Sequence, residues 1–136
     1  MNKLAARLVA VVDDEEAIRK ALQRLLRSAG FDVMTFASGP EFLRSLSARR
    51  PDCLVLDIRM QGMTGFDVQT RLKDDATKAG DAAPPVVFIT ALDDPNDEQR
   101  ALKAGAAGFL RKPFGDQDLL AAIDGAIGSA LKTTDA

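Results

Sequence analysis

Residues 51–60 read PDCLVLDIRM. The apolar run Cys53–Leu56 ends on a carboxylate, Asp57. An unbroken apolar run is buried on both faces, as in a parallel sheet covered by helices on each side. A charge at the end of such a strand sits on the rim of the sheet. Three further continuous runs share this character: LVAVV at Leu8–Val12, VVFI at Val86–Ile89 and AGFL at Ala107–Leu110. DVMTF, Asp32–Phe36, alternates and suits an edge strand.

Helical patterns fill the intervals. Ile18, Leu22, Leu25 and Leu26 follow one face of a helix that Gly30 stops. Ser38 with Glu41 predicts a capping box for a helix carrying Phe42, Leu43 and Leu46. Thr64 with Asp67 predicts a similar start, with Phe66 and Leu72 facing inward. Asp94 and Pro95 supply a cap and a first-turn proline, and Gly105 ends that helix. The last helix begins near Asp116 and carries Leu119, Leu120, Ile123 and Ile127. The polar stretch Asp74–Pro85 reads as a helix end and a loop. Strand and helix thus alternate five times. Right-handed crossovers turn this order into an α/β, doubly wound parallel sheet.

Composition narrows the function. A length of 136 residues suits one domain, and 46% apolar residues can fill its core. A net charge of −2 lacks the basic face of a nucleic-acid binder. There is no Trp or Tyr, and seven Phe offer little for stacking bases. The absence of His excludes Ser-His-Asp chemistry, His metal sites and a phosphohistidine within this chain. One cysteine, Cys53, forms no internal disulfide, reads as a buried thiol and fits a reduced cytoplasmic setting. MNKLAARLVAVV is too short an apolar run for a membrane span or a secretory leader, so it reads as the first strand of a cytosolic protein.

In such a sheet, function gathers at the carboxyl ends of the strands, near the switch in strand order. There the first strand delivers Asp13 and Asp14, the third Asp57, the fourth Thr90 and the fifth Lys112 and Pro113. Singly, each has an ordinary explanation: acids at a helix start, a solvated strand end, a surface lysine. Together they form a chemical set. Three carboxylates without His favour a hard cation such as Mg²⁺. Asp57 can then act as a nucleophile toward phosphorus and form an acyl phosphate. The Lys112 ammonium and the Thr90 hydroxyl can hold the phosphoryl oxygens, and Ala91 leaves space beside them.

The stretches VVDDE, LVLDIRMQGMTGFD, VVFITA and GAAGFLRKPF occur in this order over about Leu8 to Ala130. Together they resemble the receiver domain of two-component response regulators, the CheY-like superfamily. DIRM, GMTG and FASGPEFL are most similar to FixJ- and NarL-like receivers. The resemblance implies a flavodoxin-like five-stranded sheet of order 2-1-3-4-5 with five helices on both faces. It implies a single receiver domain over 1–136, with a core of about 8–130 and a frayed tail or linker start at 131–136. Asp57 is implied as the phosphoacceptor, with Thr90 and Lys112 assisting. Asp13, Asp14, Asp57 and the backbone carbonyl of Arg59 are implied as ligands of Mg²⁺, for which Mn²⁺ can substitute. The peptide bond before Pro113 is cis in family members.

Thr90 and Phe109 are implied as switch residues, although Phe109 reads equally as a core phenylalanine. The implied output surface is helix 4, strand 5 and helix 5, controlling dimerisation or an output partner. The implied donor is a histidine kinase or phosphotransfer protein that docks near Ala17–Ala21 on helix 1. Such a domain catalyses only its own phosphorylation and dephosphorylation, works in the cytoplasm and engages neither nucleic acid nor membrane directly. FixJ-like receivers normally precede a helix-turn-helix domain; a stand-alone receiver and a fragment of such a regulator both remain open. Gln61 departs from the family's usual proline after Met60, which bears on loop rigidity and phosphoryl lifetime. Arg59 and Leu92 flank the pocket in the family pattern.

Three alternatives compete. A Mg²⁺-dependent phosphohydrolase with an aspartate nucleophile usually has a second acid two residues on, where this chain has Arg59. A flavodoxin-like nucleotide or flavin binder needs a phosphate loop after the first strand, where DDEE stands. An unphosphorylated pseudo-receiver, acting purely as an interaction module, has no need for all five pocket side chains.

Overall fold

The computed structural model describes residues 6–135, with side chains described to residue 130. Five strands and five helices alternate: β1 Leu8–Val12, α1 Glu16–Ser28, β2 Asp32–Phe36, α2 Gly39–Ser45, β3 Cys53–Asp57, α3 Gly65–Ala79, β4 Val86–Thr90, α4 Pro95–Lys103, β5 Gly108–Arg111 and α5 Asp116–Asp135. All pairings are parallel, and the sheet order is β2-β1-β3-β4-β5. The doubly wound, flavodoxin-like expectation holds. The expected tail at 131–136 and the first five residues of the opening stretch lie outside the described side chains.

Alternation along the strands divides the core. Ala10, Val12, Leu54, Leu56, Val86 and Phe88 face α2, α3 and α4, where Phe42, Phe66, Leu72 and Ala101 meet them. Val9, Val11, Cys53, Val55, Val87 and Ile89 face α1 and α5, meeting Leu22, Leu26, Leu119 and Ile123. β1, β3 and β4 are therefore buried throughout, as their unbroken apolar runs require.

β5 differs from the expectation. It begins at Gly108 and reaches Arg111, one residue later than the apolar run, and it is only half-buried. Its position explains this: β5 lies at a sheet edge, opposite β2, and pairs with β4 alone. Thr90 pairs with Arg111, so the ladder extends past Leu110 onto a charged residue.

The helix starts follow the caps with one variation. Thr64 and Asp67 form a complete capping box. At α2, the Ser38 hydroxyl accepts from the Glu41 N–H at 3.4 Å. The Glu41 carboxylate, however, accepts from the Ala37 N–H at 3.1 Å, one residue before the cap. The expected reciprocal box is therefore displaced. Asp94 caps α4 by accepting from the Asn96 N–H at 2.9 Å. Gly80, with φ of 73°, closes α3 in the left-handed conformation that glycine adopts freely.

Candidate functional site

β1 and β3 are neighbours in the sheet, yet the chain leaves β1 toward β2 on one side and returns to β3 on the other. A crevice opens where the connections diverge, at the carboxyl ends of these two strands. Asp13 follows β1 and Asp57 ends β3, so both acids lie on this crevice. Asp13, Asp57 and Thr90 are buried, whereas Asp14 is exposed. Asp13, Asp14 and Asp57 each present an oxygen within 4.8 Å of the other two. Three carboxylate oxygens so close, with a water-accessible edge at Asp14, match the donor set of a hard divalent cation.

Lys112 reaches the same cluster from the end of β5. Its ammonium lies 2.8 Å from Asp13 Oδ2, 3.4 Å from Glu15 Oε1 and 3.7 Å from Asp57 Oδ2. The Lys112 N–H donates to the Thr90 carbonyl at 2.7 Å, which fixes the start of its side chain beside β4. The Lys112–Pro113 peptide bond is cis. The Thr90 hydroxyl accepts from the Leu92 N–H at 3.2 Å, which anchors the loop after β4. Asp57 Oδ1 accepts from the Arg59 N–H at 3.4 Å.

These surroundings set the protonation of the site. Burial, reinforced by the Asp13 and Asp14 charges, pushes the Asp57 carboxyl up to about 7. Lys112 and the Arg59 N–H oppose that rise without cancelling it. Burial pulls the Lys112 ammonium down, but its hydrogen bond to Asp13 and the Asp57 and Asp13 charges outweigh it and hold it above 10.5. The site thus has more negative charge than one lysine neutralises. It is suited to receive a cation, which Asp13, Asp14 and Asp57 would hold.

The structure brings Asp13, Asp14, Asp57 and Lys112 into one cluster and places Thr90 at the neighbouring strand end. Phe109 is half-buried against the α2–α4 side of the core, with the Arg111 guanidinium 5.4 Å from its ring centre. It pairs with Phe88, so it stands on the strand next to Thr90. The Arg59 side chain turns toward α4, where it donates to both oxygens of Asp97 at 2.7 Å. Gln61 and Leu92 are exposed.

Two residues escaped the sequence reading. Glu15 supplies another carboxylate to Lys112; its signal was the third acid in VVDDE. Gly65 starts α3 against the end of β3. A Cβ there would lie 2.6 Å from the Asp57 carbonyl oxygen. Glycine is required because α3 packs onto the backbone that carries Asp57, and nothing in GMTGFD alone reports that approach.

An apolar groove of about 360 Å³ adjoins Lys112, lined by Ile18, Ala21 and Leu22 of α1 and by Pro113, Phe114 and Asp116. Among the described residues no helix is long and apolar enough to cross a membrane.

Comparison with known proteins identifies the family and the fold. Residues 9–124 match the family model described as the response regulator receiver domain. The chain is 41% identical over 116 residues to nodulation protein W of Bradyrhizobium diazoefficiens, covering 85% of this chain and 49% of that protein. The chain spans about half the length of the curated relatives it matches. The crystal structure of a response regulator receiver protein from Burkholderia phymatum is 46% identical, with a TM-score of 0.77, covering 90% of this chain and 95% of that one. The FixJ-N crystal structure is 35% identical, with a TM-score of 0.80, covering 92% and 96% respectively.

Proposed function

The chain belongs to the response regulator receiver family, and on that premise we propose that Asp57 accepts a phosphoryl group from a phosphohistidine. The observation that carries this reading is the position of Asp57. It is buried at the end of β3, within 4.8 Å of two further acidic ligand atoms, with the Lys112 ammonium 3.7 Å away. An Asp57 carboxylate oxygen attacks phosphorus, and the P–N bond of the donor breaks. Its electron pair leaves with the imidazole, which takes a proton, and Asp57 becomes an acyl phosphate.

Asp13, Asp14, Asp57 and the Arg59 carbonyl are the residues that would hold Mg²⁺, or Mn²⁺ in its place. When bound, such a cation neutralises charge on the carboxylates and on the phosphoryl oxygens. Lys112 faces the phosphoryl oxygens from β5. Thr90, released from the Leu92 N–H, turns its hydroxyl to the same group. Phe109, on the adjoining strand, then moves toward the space behind Thr90. The readout is a changed α4–β5–α5 surface that controls dimerisation or an output partner. Residues of about 8–130 act as the receiver unit, with 131–136 as a tail or the start of a linker.

With no histidine of its own, the chain needs an external donor, a histidine kinase or a phosphotransfer protein. The groove between α1 and the start of α5 is the surface offered to it. The domain is a phosphoacceptor switch in the cytoplasm that catalyses only its own phosphorylation and dephosphorylation, and it contacts neither nucleic acid nor membrane directly. A phosphohydrolase would need an acid two residues after Asp57; that place holds Arg59, already committed to Asp97.

Intact mass after treatment with Mg²⁺ and acetyl phosphate tests the assignment. The wild type gains one phosphoryl adduct, and Asp57→Asn gains none. An undiminished adduct in that variant would defeat the assignment.

A further inference from the structure

α4 buries little apolar surface. It spans only Pro95–Lys103, shorter than the roughly 12–15 residues at which isolated helices become even marginal. Its one fully buried apolar side chain is Ala101, and Leu102 is 62% exposed. Charge replaces the missing apolar grip. Arg111 of β5 lies 3.0 Å from Asp93 and 3.1 Å from Glu98. Arg59 lies 2.7 Å from both oxygens of Asp97 and 3.8 Å from Asp94. Asp97 is buried, and removing that guanidinium would leave its side chain without this partner.

Arg59 is also the second residue after Asp57, and its own N–H donates to Asp57 Oδ1. One residue therefore touches the phosphoacceptor through its backbone and α4 through its side chain. The Arg59 side chain is 46% exposed, which leaves it room to turn. A phosphoryl group on Asp57 would place new anionic oxygens beside the backbone of this same residue. Nη2 makes every contact to Asp97, and the side chain gives those contacts up when it swings back toward Asp57.

We propose that Arg59 is a positioning residue that couples Asp57 to α4 through Asp97. While α4 is docked, Asp97 holds the guanidinium away from the incoming phosphoryl group; turning toward that group loosens the first turn of α4. The inference rests on phosphorylation at Asp57 and adds a second route to α4 beside Thr90. Coupling between two sites is reciprocal, so the Asp97 contact must also affect chemistry at Asp57.

The test uses Arg59→Gln, Asp97→Asn and the double variant. In unphosphorylated protein, each single variant speeds amide hydrogen exchange in α4 by about tenfold, with β3 unchanged. With Mg²⁺ and acetyl phosphate, Asp97→Asn frees the cation and raises the initial rate of Asp57 phosphorylation by about threefold. Arg59→Gln lowers that rate, and the double variant behaves as Arg59→Gln alone. Faster α4 exchange with an unchanged phosphorylation rate in Asp97→Asn means the pair is only structural, and overturns the coupling. An Asp97→Asn effect that survives in the Arg59→Gln background overturns it too. If the wild type takes up no phosphoryl group, the proposed function fails and the coupling with it, while the exchange data alone decide whether Arg59 grips α4.

Discussion

Without a bound cation, Asp57 should weaken the fold that presents it. Its side chain is 4% exposed, and burial with the neighbouring acids raises its carboxyl from an ordinary 3.8 to about 7. Between those values the folded chain binds the proton more tightly than the unfolded chain. Stability therefore falls as pH rises through this window, and the full penalty is present above the folded value. The rise corresponds to roughly 4 kcal/mol at about 1.36 kcal/mol per pH unit.

Asp57→Asn keeps the shape and removes the charge. In EDTA at pH 8 the variant should be more stable than the wild type by about 2–4 kcal/mol, and the gap should close toward pH 4. Urea unfolding at several pH values measures it directly. Saturating Mg²⁺ should stabilise the wild type far more than the variant, since binding to the folded state adds to its stability. A variant less stable than the wild type at pH 8 in EDTA, or a gap that ignores pH, would refute the reasoning.

Three further outcomes follow from particular contacts. Burial pushes the Cys53 thiol up to about 12. At pH 7.5 it should react with an aromatic disulfide reagent at least about a thousandfold more slowly than free cysteine, and rapid labelling of folded protein would contradict its placement. Gly65→Ala drives a Cβ into the Asp57 carbonyl, so urea unfolding should show a loss of about 1–3 kcal/mol and phosphorylation should slow; an unchanged midpoint would contradict the close approach. Thr90→Ala should still accept a phosphoryl group, yet its α4–β5–α5 amide resonances should stay at their unphosphorylated positions. A wild-type spectral change in that variant would remove Thr90 from the switch.

The strands that position the site were legible because burial on two faces leaves a simple trace. Each of β1, β3 and β4 is an unbroken apolar run, and each ends or is followed by a polar residue on the crevice. β5 obeyed the pattern less well. An edge strand needs no second buried face, so its ladder runs on to Arg111, where hydropathy gives no signal. The Ser38 cap was visible, but the partner of the Glu41 side chain was not. A flexible carboxylate can choose between two adjacent N–H groups, and it takes Ala37.

Long-range pairing was the least legible layer. Arg59 and Asp97 are separated by 38 positions, and each looks by itself like an ordinary surface charge. Their meeting depends on two features that sequence periodicity does not report: the loop after β3 turns toward α4, and α4 has little apolar surface with which to hold itself. Asp57 differs because its elements do report it. Its charge lies at the end of a strand that must be central, beside the strand that carries Asp13, where the crossovers diverge. Chemistry fixed by topology can be read from one chain. Chemistry fixed by which arginine finds which carboxylate requires the folded positions, and in this protein that second kind connects the loop after β3 to α4.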